Sequence, residues 1–248
     1  MPRSAREKSK TGIYHIMVRG INRQEIFQEE EDKRAYLERL ERYKIECGFK
    51  LCAYCLMSNH VHLVIKDEKE NLPEIMKKLS ASYVYWYNWK YARTGHLFQD
   101  RYKSEPVEND AYLLTVVRYV HQNPMKIGAS MTEWTSYADY INGGGMTDVS
   151  FVTSVFSQDA QRAKKAFVEY MNEDNEDKCL DIEKQKKMTD EEAKRFIKRI
   201  GKLSNCQEMQ ALEKAVRDSI LRRAKDEGFS VRQLERVTGV NRGAVLKA

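Results

Sequence analysis

The chain has 248 residues, with 43 lysines and arginines against 37 aspartates and glutamates, so its formal net charge is +6. Hydrophobic residues make up 42% of the chain, which contains only 12 glycines and 4 prolines. This composition excludes collagen-like and Pro/Gly-rich disordered proteins. The longest strongly apolar runs, such as residues 51–57, are far shorter than the ~20 residues of a membrane-spanning helix. We therefore expect one large or two small domains and no membrane association.

The charge is uneven, with a net +5 in residues 1–23 and a net +4 in residues 201–248. Two basic ends on a balanced body favour contact with a polyanion, most simply nucleic acid. No apolar segment follows the basic N-terminus, so it does not resemble a secretory signal. With five cysteines, an odd number, we expect reduced thiols and a cytoplasmic, nucleoid-associated protein.

Hydrophobic periodicity predicts alternating strands and helices in the first half of the chain. The order strand, helix, strand, strand, helix, strand predicts a ferredoxin-like α+β core, with one further helix packed beside the sheet. The predicted elements are, in order, a strand at 11–19, a helix at 29–47, strands at 49–57 and 60–66, a helix at 72–91, an extended segment at 96–107 and a helix at 111–122. Within the second strand, Cys52 and Cys55 are three residues apart and are predicted to face opposite ways, which argues against a shared zinc ion.

The only glycine cluster, residues 143–145, predicts a boundary between a first domain at 1–141 and a second at 142–248. Helices are predicted at 160–172, from Thr189 onward and at about 207–227. The chain then reads as two short helices, capped by Ser230 and Asn241, on either side of a Gly239 turn. This pattern predicts an all-α second domain that ends in a helix-turn-helix near 229–248.

His60 and His62 are the first candidate site residues. They are two apart on a predicted strand, so their imidazoles point to the same face. Two neutral imidazoles on one face are able to chelate a divalent cation. A bare H-x-H pair is common, however, and is also compatible with ordinary core or surface histidines.

Tyr119 and Asn123 add to this pair because they are four apart at the end of a predicted helix and project from one face. A tyrosine has a pKa near 10 and is a poor nucleophile at neutral pH. A metal-polarised phosphodiester is a target that makes phenolate attack workable. The amide oxygen of Asn123 is a candidate third ligand beside the histidines. Tyr119 is also compatible with a packing role in the core.

Four segments together resemble the HUH single-tyrosine transposases and, within them, the REP-associated tyrosine transposases. They span residues 14–128 in the order of the family. They are YHIMVRGINRQEIF (14–27), MSNHVHLVI (57–65), GHLFQDRYKSEPVE (95–108) and YLLTVVRYVHQNPMKIG (112–128).

The resemblance implies a nuclease and strand transferase that acts on single-stranded DNA, often at the foot of a hairpin. It assigns His60 and His62 to Mg²⁺ or Mn²⁺, Tyr119 to nucleophilic attack and Asn123 to completion of the metal site. The reaction implied is a 5′-phosphotyrosine intermediate with a free 3′-hydroxyl, which reverses the step without an external energy source. No small-molecule cofactor is implied, and the sequence leaves a homodimer open.

Two further tyrosines, Tyr102 and Tyr112, compete with Tyr119 as nucleophile. We favour Tyr119 because Asn123 follows it at the fourth position, whereas Val116 follows Tyr112. His15, His96 and His121 are given ordinary structural roles. The residues expected to contact DNA phosphates or bases are Arg19, Arg23, Arg101 and Lys103 in the first domain and Arg232, Arg236, Asn241 and Arg242 in the second.

Three other functions stay open at this stage. The first is a DNA-binding transcriptional regulator that uses the helix-turn-helix and has lost the chemistry of its first domain. The second is a metal phosphoesterase in which water, not Tyr119, attacks. The third is a replication initiator or relaxase with the same chemistry, which the basic C-terminal region and the lack of a helicase segment disfavour.

Overall fold

The computed structural model of the protein describes residues 6–69, 71–180 and 189–248. The chain forms two compact units, Met1–Asp181 and Ile182–Ala248. Among the described residues, no helix combines the length and the apolar character needed to cross a bilayer.

The first unit contains a four-stranded sheet in which every neighbouring pair is antiparallel, in the order β2-β3-β1-β4. This confirms the expected mixture of helices and a sheet. Its strands are β1 (Ile13–Arg19), β2 (Lys50–Met57), β3 (His60–Lys66) and β4 (Lys103–Pro106), and its helices are α1 (Glu30–Cys47), α2 (Leu72–Lys90), α3 (Asp110–Gln122), α4 (Tyr137–Asn142), α5 (Val149–Thr153) and α6 (Ala160–Met171).

Local signals explain where the helices begin and end. The α1 helix begins with a reciprocal capping box between Glu29 and Asp32 and ends at Gly48, whose φ of 73° is left-handed and favours glycine. The α3 helix begins at Asn109, whose side chain accepts a hydrogen bond from the Tyr112 amide, and Pro124 lies just beyond its end. These boundaries fix the positions of the side chains that α3 presents to the sheet.

The sheet separates two hydrophobic clusters. One cluster lies with α1 and α2 and includes Tyr36, Leu40 and Tyr83, all almost fully buried. The other lies with α3 and includes Val117 and Phe167. The alternation of β1 and β3 therefore sends every second side chain beneath α3, where polar groups are removed from water.

The predicted extended segment at 96–107 is a strand only over Lys103–Pro106. The chain before it touches the sheet through one isolated bridge between Gly20 and Phe98. The two cysteines of β2 also differ from the prediction, because both Cys52 and Cys55 pack in the α3 cluster. A bulge between Leu51 and Ala53 breaks the alternation at Cys52.

The structure divides the chain about forty residues later than the predicted boundary between 1–141 and 142–248, at Asp181. Residues after the glycine cluster remain in the first unit because α6 packs against α3. Phe167 of α6 is fully buried and stacks on Tyr140 with ring centroids 4.3 Å apart. Arg118 of α3 binds Asp177 through a 2.8 Å contact. The glycine cluster is thus a loop within this unit.

The second unit is helical over its described residues, 189–248. The predicted helix at 207–227 is instead a 3₁₀ turn, Cys206–Gln210, followed by a helix at Lys214–Asp226. Side chains cap three of the helices as predicted: Thr189, Ser230 and Asn241 each accept a hydrogen bond from a backbone amide three residues on. The helices are α7 (Asp190–Gly201), α8 (Lys214–Asp226), α9 (Val231–Thr238) and α10 (Arg242–Lys247).

Candidate active site

His60 and His62 lie side by side beneath α3. Their ring centroids are 5.0 Å apart, His62 is fully buried and His60 is 8% exposed. Val61, between them, belongs to the cluster on the opposite face of the sheet. The two imidazoles therefore share one face of β3 and are largely shielded from solvent.

Tyr119 projects from α3 toward these histidines. Its ring centroid is 5.8 Å from that of His62, and the side chain is buried. Asn123 follows one helical turn later with helical backbone angles, so it lies on the same side of the helix as Tyr119. Asn123 is buried, and its amide nitrogen has no hydrogen-bond partner within the described ranges. The described residues therefore leave this buried amide with an unsatisfied N–H donor.

The hydrogen bonds of the two histidines determine which ring nitrogens face the site. His60 Nδ1 lies 2.7 Å from Asn59 Oδ1 and donates to that carbonyl oxygen. His62 Nδ1 lies 2.9 Å from the Nε2 of His15. The Nε2 of His62 is buried and has no hydrogen-bond partner in the part of the chain that the structure describes.

Electrostatics keeps His62 neutral. Burial lowers the pKa of His62 well below its usual value, and His15, His60 and Lys126 lower it further. A neutral imidazole with a buried, unsatisfied nitrogen is a suitable metal ligand. Among the described residues, no three histidine, cysteine, aspartate or glutamate side chains form a metal-binding group. Two imidazole nitrogens and an amide oxygen are nevertheless a donor set that suits a divalent cation.

The structure brings three residues to this site that the sequence did not identify. His15 of β1 is fully buried and stacks on His62 with ring centroids 5.1 Å apart. Glu105 of β4 lies opposite His15 in the sheet, and its pKa is lowered by interaction with His15 and by the Tyr112 hydrogen bond, against the effect of burial. Lys126 lies over the ring of Tyr119. A histidine inside the apolar strand IYHIMVR was the available signal for His15.

The competing tyrosines are placed less favourably. Tyr112 donates a 2.6 Å hydrogen bond to Glu105, and its pKa is raised by burial and by that bond. Tyr102 belongs to the cluster on the opposite face of the sheet, where Arg6 covers its ring. Neither hydroxyl combines access to the histidine pair with a lowered pKa.

His121 is buried on another side of α3. Its Nε2 is 2.7 Å from the Ser136 hydroxyl, and burial lowers its pKa to about 3. Phe167 and Tyr140 pack edge-on against its ring. His121 is therefore part of the packing between α3 and the segments that follow it. His96, in contrast, is exposed in the loop before β4.

The four basic residues of the first unit that were predicted to contact DNA lie on β1, in the turn after it and at or just before β4. Arg19 is the cross-strand neighbour of His60, and its pKa is lowered by burial and then by Arg23. Neither arginine forms an ion pair with another described residue. Lys103, exposed on β4, pairs in register with Met17, and Arg101 is exposed just before that strand.

In the second unit, Arg232 and Arg242 are exposed on α9 and at the start of α10, and Asn241 caps α10. Arg236 differs from them because two of its nitrogens bind Asp190, at 2.7 and 2.6 Å. This ion pair joins α9 to the first turn of α7. Arg232, Asn241 and Arg242 thus remain the candidate DNA-facing side chains of this unit.

Comparison with known proteins finds similarity to transposases over part of the first unit. Residues 8–123 match the sequence profile of the family described as IS200-like transposases. A REP-associated tyrosine transposase bound to a REP hairpin superposes with a TM-score of 0.49 and 14% identity, covering 60% of this chain and 90% of that one. A candidate transposase from Deinococcus radiodurans R1 superposes with a TM-score of 0.35 and 16% identity, covering 52% of this chain and 99% of that one. No curated protein matches the chain at a significant level.

Proposed function

We propose that the chain, whose residues 8–123 match the IS200-like transposase family, is a member of that family and a metal-dependent, single-stranded DNA strand transferase. Tyr119 is the proposed nucleophile, and His60, His62 and Asn123 are the proposed ligands of Mg²⁺ or Mn²⁺. The observation that carries this proposal is the burial of the Tyr119 phenol beside two imidazoles, one of them with an unsatisfied Nε2. The proposed core is ferredoxin-like, with α3 added beside the sheet.

In the proposed reaction, Tyr119 Oη forms a bond to the scissile phosphorus as the bond from phosphorus to the 3′ oxygen breaks. The phenolic proton is lost to solvent, and the departing 3′ oxygen takes up a proton. The products are a 5′-phosphotyrosine and a free 3′-hydroxyl. Attack by a 3′-hydroxyl on the phosphotyrosine reverses the step and rejoins DNA. When bound, the divalent cation neutralises charge on the phosphate oxygens.

The environment of Tyr119 supports this role. The Lys126 ammonium lies over its ring and favours the phenolate over the neutral phenol. Arg19, beside His60, and the nearby Arg23 offer positive charge to the DNA backbone at the same end of the sheet. The proposed substrate is single-stranded DNA next to a hairpin.

We assign the second unit a DNA-targeting role through a helix-turn-helix formed by α9 and α10. The exposed Arg232, Asn241 and Arg242 are the proposed contact residues. A regulator that has lost its chemistry is not favoured, because His60, His62, Tyr119 and Asn123 are all present in a chain of a DNA-cleaving family.

The test is covalent capture of DNA. Labelled hairpin oligonucleotides from the DNA that flanks the gene are incubated with protein and Mg²⁺ or Mn²⁺, and the products are separated on denaturing gels. We expect a metal-dependent protein–DNA adduct that disappears in Tyr119→Phe and in His60→Ala. Tyr112→Phe is the control and should retain the adduct, because the Tyr112 hydroxyl is already engaged in a hydrogen bond with Glu105.

Two other outcomes would contradict the proposal. Cleavage that persists in Tyr119→Phe without an adduct would make water the nucleophile and the protein a phosphoesterase. Tight hairpin binding without any cleavage would favour the regulator.

A further inference from the structure

A chain of polar groups runs behind His62. His15 Nε2 lies 2.9 Å from His62 Nδ1, and on its other side His15 Nδ1 faces Glu105 Oε2 at 3.6 Å. The three residues come from β3, β1 and β4, and β1 lies between the other two strands. His15 and His62 are both fully buried. Packing therefore holds the two imidazoles in one arrangement away from solvent, whereas the Glu105 side chain is 32% exposed.

The direction of the hydrogen bond between the two histidines follows from Glu105. A neutral imidazole has one N–H and one lone pair, and an ionised carboxylate only accepts. Glu105 favours the proton on His15 Nδ1, which leaves the His15 lone pair on Nε2. That lone pair accepts the proton of His62 Nδ1. The lone pair of His62 is then on Nε2, the buried nitrogen that no described residue satisfies.

His60 reaches the same state by a simpler route. The carbonyl oxygen of Asn59 accepts from His60 Nδ1 at 2.7 Å and leaves the lone pair of His60 on Nε2. Both imidazoles then present the same nitrogen on the α3 side of the sheet. A histidine buried only for packing would not be expected to present the same ring nitrogen as its neighbour.

We propose that His15 and Glu105 are positioning residues that fix the tautomer and ring orientation of His62, as Asn59 does for His60. The effect of His15 and Glu105 on cation binding rests on the proposed function. The position of the protons on the His15 and His62 rings, in contrast, is a property of the metal-free protein. Partners behind a ligating histidine raise metal affinity by holding the ring and its proton in place. Their loss typically lowers metal affinity about 10–100-fold.

The first test uses no metal. The ring nitrogens of ¹⁵N-labelled protein are observed by long-range proton–nitrogen NMR, which distinguishes the two tautomers of each histidine. The chain has five histidines, and single substitutions assign them. We expect His62 to carry its proton on Nδ1 and to lose this preference in His15→Phe. A proton on Nε2 of His62 in the wild-type protein would overturn the proposal, because that nitrogen is then no ligand.

The second test measures Mn²⁺ binding by electron paramagnetic resonance, with folding checked by circular dichroism. His15→Phe keeps the packing volume but removes the acceptor, so we expect affinity to fall about 10–100-fold. His15→Gln restores a carbonyl oxygen for His62 Nδ1 and should recover most of the affinity. The matched control is His121→Phe, which changes a buried histidine away from the site and should bind Mn²⁺ as the wild type does.

The outcomes separate this inference from the proposed function. Equal Mn²⁺ binding by wild type and His15→Phe would overturn the positioning role, as would equally weak binding by His15→Gln and His15→Phe. A wild-type protein that binds no Mn²⁺ would contradict the proposed function, and the NMR result would then decide the position of the protons alone. Should His15→Phe fail to fold, Glu105→Ala replaces it, because it removes the acceptor for His15 Nδ1 and should cause the same loss of the His62 tautomer preference.

Discussion

The Nζ of Lys126 lies 3.9 Å from the centroid of the Tyr119 ring. Lys126 belongs to the 3₁₀ turn Asn123–Ile127, which follows α3 directly. The segment that ends the helix thus brings a positive charge to the proposed nucleophile. Because the phenolate carries a full negative charge and the phenol does not, this cation stabilises the reactive form more.

Lys126→Met should slow formation of the covalent adduct by about 100-fold, the usual effect of losing one charge-stabilising group in an active site. Lys126→Arg should retain part of the rate because it keeps the charge. Single-turnover capture at saturating hairpin DNA measures the effect. The control is Lys165→Met, which removes an exposed lysine on α6. An unchanged rate in Lys126→Met would remove Lys126 from the mechanism.

Removal of metal should separate cleavage from DNA binding. We expect EDTA to abolish the adduct and to leave hairpin affinity largely unchanged, because basic side chains and not the cation bind most of the backbone. Asn123→Ala should raise the Mn²⁺ concentration needed for half-maximal adduct by about tenfold or more, a loss of ~1.4 kcal/mol. Gln122→Ala is the control, since the Gln122 side chain instead contacts Met171. Adduct formation in EDTA would contradict the metal requirement.

Local periodicity was sufficient to predict the elements that carry the proposed catalytic residues. The strand His60–Lys66 has the predicted bounds, and α3 begins only one residue earlier than predicted. The spacing of two on a strand and of four on a helix then determines which side chains share a face. These relationships depend on residues close in sequence, so no knowledge of tertiary packing is needed.

Relationships between distant segments were not predictable in this way. His15 and His62 are 47 residues apart, and their contact depends on the pairing of β1 with β3. The boundary between units depends on the packing of Phe167 against Tyr140, which a glycine cluster in the intervening loop does not reveal. The bulge at Cys52 has no signal in the pattern of the strand.

Arg19 is expected to contact a phosphate of the single-stranded segment, because it is the cross-strand neighbour of His60. Arg19→Ala should weaken binding uniformly across sequences and lower the slope of log affinity against log salt concentration by about 0.7, the value for one phosphate contact in a single strand. Fluorescence anisotropy over a salt series measures both effects. The control is Arg34→Ala, because the Arg34 side chain is exposed and paired with Glu30. An unchanged salt slope in Arg19→Ala would show that Arg19 does not contact a DNA phosphate.

Arg242 is expected to act on DNA independently of the chemistry. Arg242→Ala should weaken binding to oligonucleotides that contain a duplex stem and lower their salt slope by about 0.9, the value for one phosphate of duplex DNA. The rate of adduct formation at saturating DNA should stay the same. Arg195→Ala, which removes an exposed arginine of α7, is the control. A lower saturating rate in Arg242→Ala would argue against a separate targeting role.

His121 should make the first unit sensitive to acid. Its pKa is about 3 in the folded protein because of burial, against about 6.5 in an unfolded chain. Between these values only the unfolded chain binds the proton, so the free energy of unfolding falls as the pH is lowered, by about 1.4 kcal/mol per pH unit. His62 adds a change of the same sign. In His121→Gln, which keeps a polar partner for Ser136, the free energy of unfolding should therefore decline less steeply with falling pH than in the wild type.

Urea unfolding followed by tryptophan fluorescence from pH 7 to 4.5 measures this dependence, because Trp86, Trp89 and Trp134 all lie in the first unit. Parallel curves for the two proteins would show that His121 is not the group that takes up the proton.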